Sequence, residues 1–247
     1  MNRIKDYDRL AFDIDRWLKD YYYMHSIKAF VVGVSGGIDS AVVSTLCAKT
    51  ELPTYVLTMP LHSKEGNTKL SDAHAKALMK KYSNVRVVNI DLSDTYESLL
   101  FNIDQDFVNN KLANANTKSR LRMVSLYQVA GSVGGIVVGT GNKVEDYGVG
   151  FYTKYGDGGV DIAPIADLYK TEVWELGKHL GVDERIVDAV PTDGLWDDGS
   201  KDEDQIGASY EQLEEAMEYR TGPAVDILDE FNRKNKHKMD PIPTFKL

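Results

Sequence analysis

A chain of 247 residues, 43% hydrophobic and 27% charged, is large enough for a substantial core and reads as one globular domain over 1–247. Its net charge of −9 sets bulk electrostatics against nucleic acid and anionic membranes, so an anionic ligand needs a local basic cluster. The single cysteine, Cys47, excludes an internal disulfide framework, and the charged opening residues carry no signal pattern, so a cytoplasmic chain is expected.

The predicted elements alternate between strand and helix. "YDRLAFDIDRWLKDYYY" places Leu10, Ile14, Trp17, Leu18 and Tyr21 on one helical face. "AFVVGV" then reads as strand, "DSAVVSTLCAKT" as helix, "TYVLTMPL" as strand, "LSDAHAKALMKKYS" as helix and "VRVVNIDL" as strand. Cys47 falls inside the first of those two helices, where a small core residue is expected rather than a nucleophile. "DTYESLLFNIDQDFVNN" and "TKSRLRMVSLYQVAGSV" read as one helix each, and "GIVVGTGN" as a fourth strand. The strands are continuous apolar runs rather than alternating ones, as a sheet covered on both faces requires. The expected fold is therefore α/β: a doubly wound, mostly parallel sheet with helices on both faces.

From about Tyr147 the texture changes to a glycine- and aromatic-rich loop, "YGVGFYTKYGDGGVDIAPIADLY". "KTEVWELGKHLGV" resumes helix with Gly181 as a cap, and "DERIVDAVP" is a short helix stopped by Pro191. "TDGLWDDGSKDEDQIG" holds six acidic residues and three glycines; it is either a solvated linker or, over about 195–207, a mobile lid. Two further helices, "SYEQLEEAMEYR" and "AVDILDEFNRKN", lead to a basic tail containing His237 and Lys238.

The stretch "FVVGVSGGIDS" carries the chemistry. A strand that runs into glycines and a helix start offers free backbone N–H groups and the positive end of a helix dipole. Neither the Walker lysine nor the G-x-G-x-x-G dinucleotide pattern is present. What remains is Ser-Gly-Gly-x-Asp-Ser, in which Ser35, Ser40 and the amides suit a pyrophosphate. Asp39 would repel that anion unless a divalent cation lay between them. Read alone, the glycines also suit a tight turn, and Asp39 a residue that complements the helix dipole.

"SGGIDS" after an apolar strand resembles the signature of the ATP pyrophosphatases, which split ATP between its α and β phosphates. With "GTGNKVE", "NTKSRLRM" and "FYTKYGDGGVDIAPIADLYK", nearly the whole chain resembles the ammonia-dependent NAD synthetases. That resemblance implies that Gly33, Val34, Ser35, Gly36, Gly37, Ile38, Asp39 and Ser40 hold ATP, with further ATP contacts from Thr140, Lys170 and Thr192. It implies Asp39 and Glu145 as Mg²⁺ ligands, Asp39 and Lys170 as catalytic groups, and Arg120, Lys154, Asp161, His237 and Lys238 as contacts to deamido-NAD. The segment between Glu145 and Lys154 runs slightly longer than the family's spacing, so Asp146 competes with Glu145 for the second metal position.

The implied reaction is the last step of NAD biosynthesis. Deamido-NAD is adenylated by ATP and then amidated, with release of AMP and pyrophosphate. The chain has no room for an amidase domain, so free ammonia is the expected nitrogen donor. The resemblance also implies a homodimer with the dinucleotide site at its interface, and no nucleic-acid or membrane partner. Two rivals keep part of this reading: the same ATP chemistry on a tRNA base or another small acid, and a nonenzymatic nucleotide sensor.

Overall fold

The computed structural model describes residues 3–62, 65–191 and 202–246; Thr192 and the 195–201 part of the expected lid lie outside them. Helix α1 (Tyr7–Met24) is followed by β1 (Phe30–Gly33), α2 (Ile38–Lys49), β2 (Thr54–Thr58), α3 (Glu65–Lys81) and β3 (Val85–Asn89). Then come α4 (Ser93–Phe101), α5 (Gln105–Val108), α6 (Lys111–Val133) and β4 (Ile136–Val137). A π-helical turn (Lys143–Val149) and a long loop lead to α7 (Lys170–Leu180), α8 (Glu184–Val187), α9 (Asp202–Ile206), α10 (Tyr210–Tyr219) and α11 (Val225–Met239).

The four strands form one parallel sheet in the order β3-β2-β1-β4. Successive β1 residues feed opposite layers. Phe30 and Val32 pack with α1, α2 and α7, whereas Val31 packs with Val137, Leu57 and the apolar side of α6. Both faces are covered, which is why the strands read as unbroken apolar runs. Strand order reverses between β1 and β4, so the crevice at their carboxyl ends is the switch point at which such sheets bind ligands.

Helix α7 is brought to that crevice by a close approach. A Cβ at Gly177 would stand 2.6 Å from Ile38 Cδ1, so the bare backbone there lets α7 lie against the start of α2 without displacing Ile38. Cys47 is fully buried, and burial pushes its thiol well above the usual range, as an inert core residue requires.

Several boundaries differ from the sequence reading. The segment read as one helix over 94–110 breaks into α4 and α5, because Asp104 turns back to cap the amide of Asp106. Helix α6 begins earlier than expected, at Lys111, where Asn110 accepts from the Ala113 amide. Helix α11 runs on to Met239, so His237 and Lys238 stand in its last turn rather than in a tail. On α1 the buried stripe is Ala11, Ile14 and Leu18; Trp17 is 43% exposed and lies off it. Among the described residues no helix is long and apolar enough to cross a membrane.

A buried histidine braces α2 from behind. Ser44 Oγ gives its one proton to Ser40 O at 2.7 Å, so it accepts from His74 Nε2–H at 2.9 Å. Burial lowers the His74 pKa from 6.5 to about 4, against opposing contributions from Ala41 and Asp183. The folded state therefore keeps His74 neutral while the unfolded chain takes up a proton below pH 6.5. Stability should fall as pH drops from 6.5 to 4, by about 3 kcal/mol from this group. Chemical denaturation across that window, compared with His74→Gln, should show the variant with the flatter pH dependence.

Candidate active site

The site begins at the turn after β1. Val34 and Ile38 are buried in the core, while Ser35 and Gly37 face outward, so side chains and backbone of one short stretch divide the work. Gly36 has φ of +94°, a conformation that side chains rarely adopt. Ser40 Oγ donates to Gly37 O at 3.0 Å and receives the Ser35 amide at 3.2 Å. The Gly37 amide donates to Ser35 Oγ at 3.2 Å. The two hydroxyls thus fix the turn's shape, and α2 starts from Gly37 with no side-chain cap on its first amides. Uncapped amides at a helix N-terminus are the usual seat of a phosphate.

Asp39, one residue into α2, meets groups from the far side of the switch point. Lys170 Nζ donates to Asp39 Oδ2 at 2.5 Å and to Glu145 Oε1 at 2.9 Å. Asn142 Nδ2 donates to Asp39 Oδ1 at 3.0 Å, and Asn142 Oδ1 accepts the amides of Val144 and Glu145, both at 3.1 Å. Asn142 therefore caps the π-helical turn and ties it to α2. Thr140 stands two residues before it, half-buried on the same loop.

Lys170 is 3% exposed. Burial pushes its ammonium down, but Asp39 and Glu145 more than offset this and hold it charged, above the ordinary lysine value. Burial likewise raises Glu145, yet Lys170 and the bonds from Lys170, Asn142 and Tyr210 bring it below the usual range. Asp39 is raised, by burial first and then by Glu145, with Lys170 and Asn142 opposing. The Asp146 carboxyl packs against Gly141, and burial with Glu145, Asp157 and Asp39 nearby raises it to about 8. Of the two acids, Glu145 is the one that shares the Lys170 ammonium with Asp39.

Two carboxylates and one ammonium leave this pocket one negative charge in excess. Among the described residues, no group of three or more His, Cys, Asp or Glu side chains is arranged to hold a metal ion. A divalent cation here would meet two carboxylates and take its remaining ligands from phosphate oxygens and water, the usual pattern for Mg²⁺. The donor set fits that ion.

The start of α7 is held from two sides. Glu214 accepts the Thr171 amide at 2.9 Å and the Thr171 hydroxyl at 2.7 Å. Glu172 accepts the Tyr169 amide at 2.8 Å and is clamped by Arg3 Nε at 2.9 Å and Nη2 at 2.8 Å. Tyr210 adds a hydroxyl bond to Glu145 Oε1 at 2.9 Å. Sequence reasoning missed Asn142, Tyr210 and Glu214. Only Asn142 left a local signal, a capping side chain at the end of a strand loop; Tyr210 and Glu214 reach the site across the fold.

The residues expected to contact a dinucleotide form a second group. Arg120 donates through Nε and Nη2 to Lys154 O, both at 3.3 Å, and Lys154 Nζ donates to His237 O at 2.8 Å. Lys238 Nζ donates to Tyr152 O at 2.8 Å and to Gly150 O at 2.5 Å. The 150–154 loop thus joins α6 to the last turn of α11. Asp161 lies apart, accepting the Val137 amide at 2.7 Å and the Tyr127 hydroxyl at 3.0 Å beside β4.

A family profile described as NAD synthase matches residues 10–240. The chain belongs to the NAD synthase family. Among its curated relatives, an NH3-dependent NAD+ synthetase from Finegoldia magna is 35% identical over 235 residues, covering 94% of each chain. One from Mycoplasmopsis pulmonis is 42% identical over 200 residues, covering 80% of this chain and 74% of the relative. Among solved structures, NMN synthetase from Francisella tularensis superposes with a TM-score of 0.91 at 31% identity, covering 99% of this chain and all of the other. Membership in the NAD synthase family makes this chain a ligase that forms a C–N bond.

Proposed function

We propose that this synthase amidates deamido-NAD to NAD with ATP and ammonia, through an acyl-adenylate. The observation that carries the reading is a charged Lys170 set between Asp39 and Glu145 at the mouth of an uncapped helix N-terminus. The nicotinate carboxylate attacks the α-phosphorus of ATP. An O–P bond forms as the bond to the β-phosphate oxygen breaks, and pyrophosphate leaves. Ammonia then adds to the activated carbonyl and AMP departs, leaving the amide and a proton.

The turn at 35–40 would seat the triphosphate through its amides, and Lys170 would neutralise charge building on the leaving pyrophosphate. Mg²⁺ held by Asp39 and Glu145 would supply positive charge to the phosphate oxygens. Thr140 and Thr192 are the further ATP contacts in this reading; Arg120, Lys154, Asp161, His237 and Lys238 receive the dinucleotide. A cytoplasmic homodimer completes it. Exposed Phe101, Phe107, Leu112 and Val124 along α4, α5 and α6 give such a pairing apolar surface to cover.

One observation favours a second substrate. The neighbour with a TM-score of 0.91 is an NMN synthetase, whose product is a mononucleotide. Pyrophosphate release with Mg²⁺, ATP and ammonia should be measured against deamido-NAD and against nicotinate mononucleotide. The dinucleotide should give the higher kcat/KM, by about tenfold or more, which corresponds to roughly 1.4 kcal/mol of added contact. A preference for the mononucleotide would favour the second reading, and release without any pyridine nucleotide would overturn both.

A further inference from the structure

We propose that Tyr210 is the positioning residue for Glu145, holding its carboxylate ready for a divalent cation whether or not Lys170 is bonded to it. The inference rests on the reading of Asp39 and Glu145 as the cation pair.

Tyr210 is fully buried at the first position of α10, its ring edge-on to Trp174 with centroids 5.9 Å apart. Lys170 Nζ lies 5.0 Å from the same ring's centroid. The hydroxyl has one proton and two acceptors in view, Glu145 Oε1 at 2.9 Å and Asp202 Oδ2 at 3.4 Å. The nearer, Glu145, receives it. Lys170 bonds the same Oε1 at 2.9 Å, so one carboxylate oxygen carries both a charged and a neutral donor.

The two donors differ in what they leave behind. An ammonium cancels the carboxylate's charge, and in the reading above it must turn to phosphate oxygens as negative charge develops there. A tyrosine hydroxyl fixes the carboxylate's rotation without cancelling that charge. The main chain of Glu145 is already anchored by its amide bond to Asn142 Oδ1 at 3.1 Å. Tyr210 secures the other end of the residue. Partners that orient a ligating carboxylate typically matter to metal affinity by 10–100-fold.

The test is a Mn²⁺ titration followed by electron paramagnetic resonance, in the presence of α,β-methylene ATP. Tyr210→Phe keeps the ring against Trp174 and Lys170, and near-ultraviolet circular dichroism checks that packing. Its Mn²⁺ affinity should fall by about tenfold or more, and the Mg²⁺ concentration for half-maximal rate should rise while KM for deamido-NAD holds. Asp202→Asn removes charge from the other side of the hydroxyl and should keep the wild-type affinity. Wild-type affinity in Tyr210→Phe, or an equal loss in Asp202→Asn, would overturn the assignment. If the wild-type protein with nucleotide binds no Mn²⁺, the cation-pair reading itself fails, and Tyr210 with it.

Discussion

Replacing Lys170 by alanine should remove activity and stability together. The ammonium is the only positive group bonded to both Asp39 and Glu145 among the described residues, and it is 3% exposed. Without it two partly buried carboxylates, 16% and 18% exposed, face each other with no compensating charge. Breaking a buried ion pair from one side costs about 3–5 kcal/mol, mostly through the charge left behind. Turnover should drop by about 10³-fold, the scale on which a single preorganised electrostatic contact acts. Thermal melts should show part of the lost stability returning with added Mg²⁺, since a divalent cation can stand between the same two carboxylates. A variant that melts as the wild type does would mean that the pocket does not depend on this charge.

Asp39→Asn should separate the two effects. The amide keeps the carboxylate's shape, and the pocket's excess negative charge disappears, so stability should change by no more than about 1 kcal/mol. Lys170 retains its bond to Glu145. What is lost is one of two groups that would tether a cation to the phosphates. Turnover should fall by about 10²–10³-fold, with binding of deamido-NAD by calorimetry unchanged. Equal loss of dinucleotide affinity would place Asp39 in the wrong subsite.

Half of this site has local causes in the residues alone. The apolar run ending in "SGGIDS" announced a strand, a glycine turn and a helix start, because each feature has a local cause. Gly36 at φ +94° and the uncapped start of α2 are that local chemistry seen in three dimensions. The parallel sheet was equally legible, since strands covered on both faces have no polar positions to interrupt them. Gly181 as a cap was legible for the same reason and takes φ of +72°.

The arrangement of the site was not legible in this way. Lys170 reaches Asp39 across 131 positions of sequence, and what delivers it is the bare backbone at Gly177 against Ile38. Nothing near Lys170 in sequence announces that approach. Tyr210 falls near the start of the helix read over "SYEQLEEAMEYR", yet its hydroxyl belongs to Glu145, 65 positions away. Glu214 read as one more acid in "YEQLEEAMEY" and proves to hold the Thr171 amide and hydroxyl. His237 and Lys238 read as part of a basic tail; in the structure they close the last turn of α11 against the 150–154 loop. The resemblance to the synthetases implies roles for Lys170, His237 and Lys238 but none for Tyr210 or Glu214, and the physical reasons for their places lie in the packing.

The most direct test is a crystal structure of the protein with Mg²⁺ and α,β-methylene ATP. Phosphate oxygens should lie on the amides of the 35–40 turn, the cation against Asp39 and Glu145, and Lys170 Nζ within bonding distance of a phosphate oxygen, as the proposed reaction requires. A nucleotide seated elsewhere, with Lys170 still closed on both carboxylates and the turn bare, would contradict it.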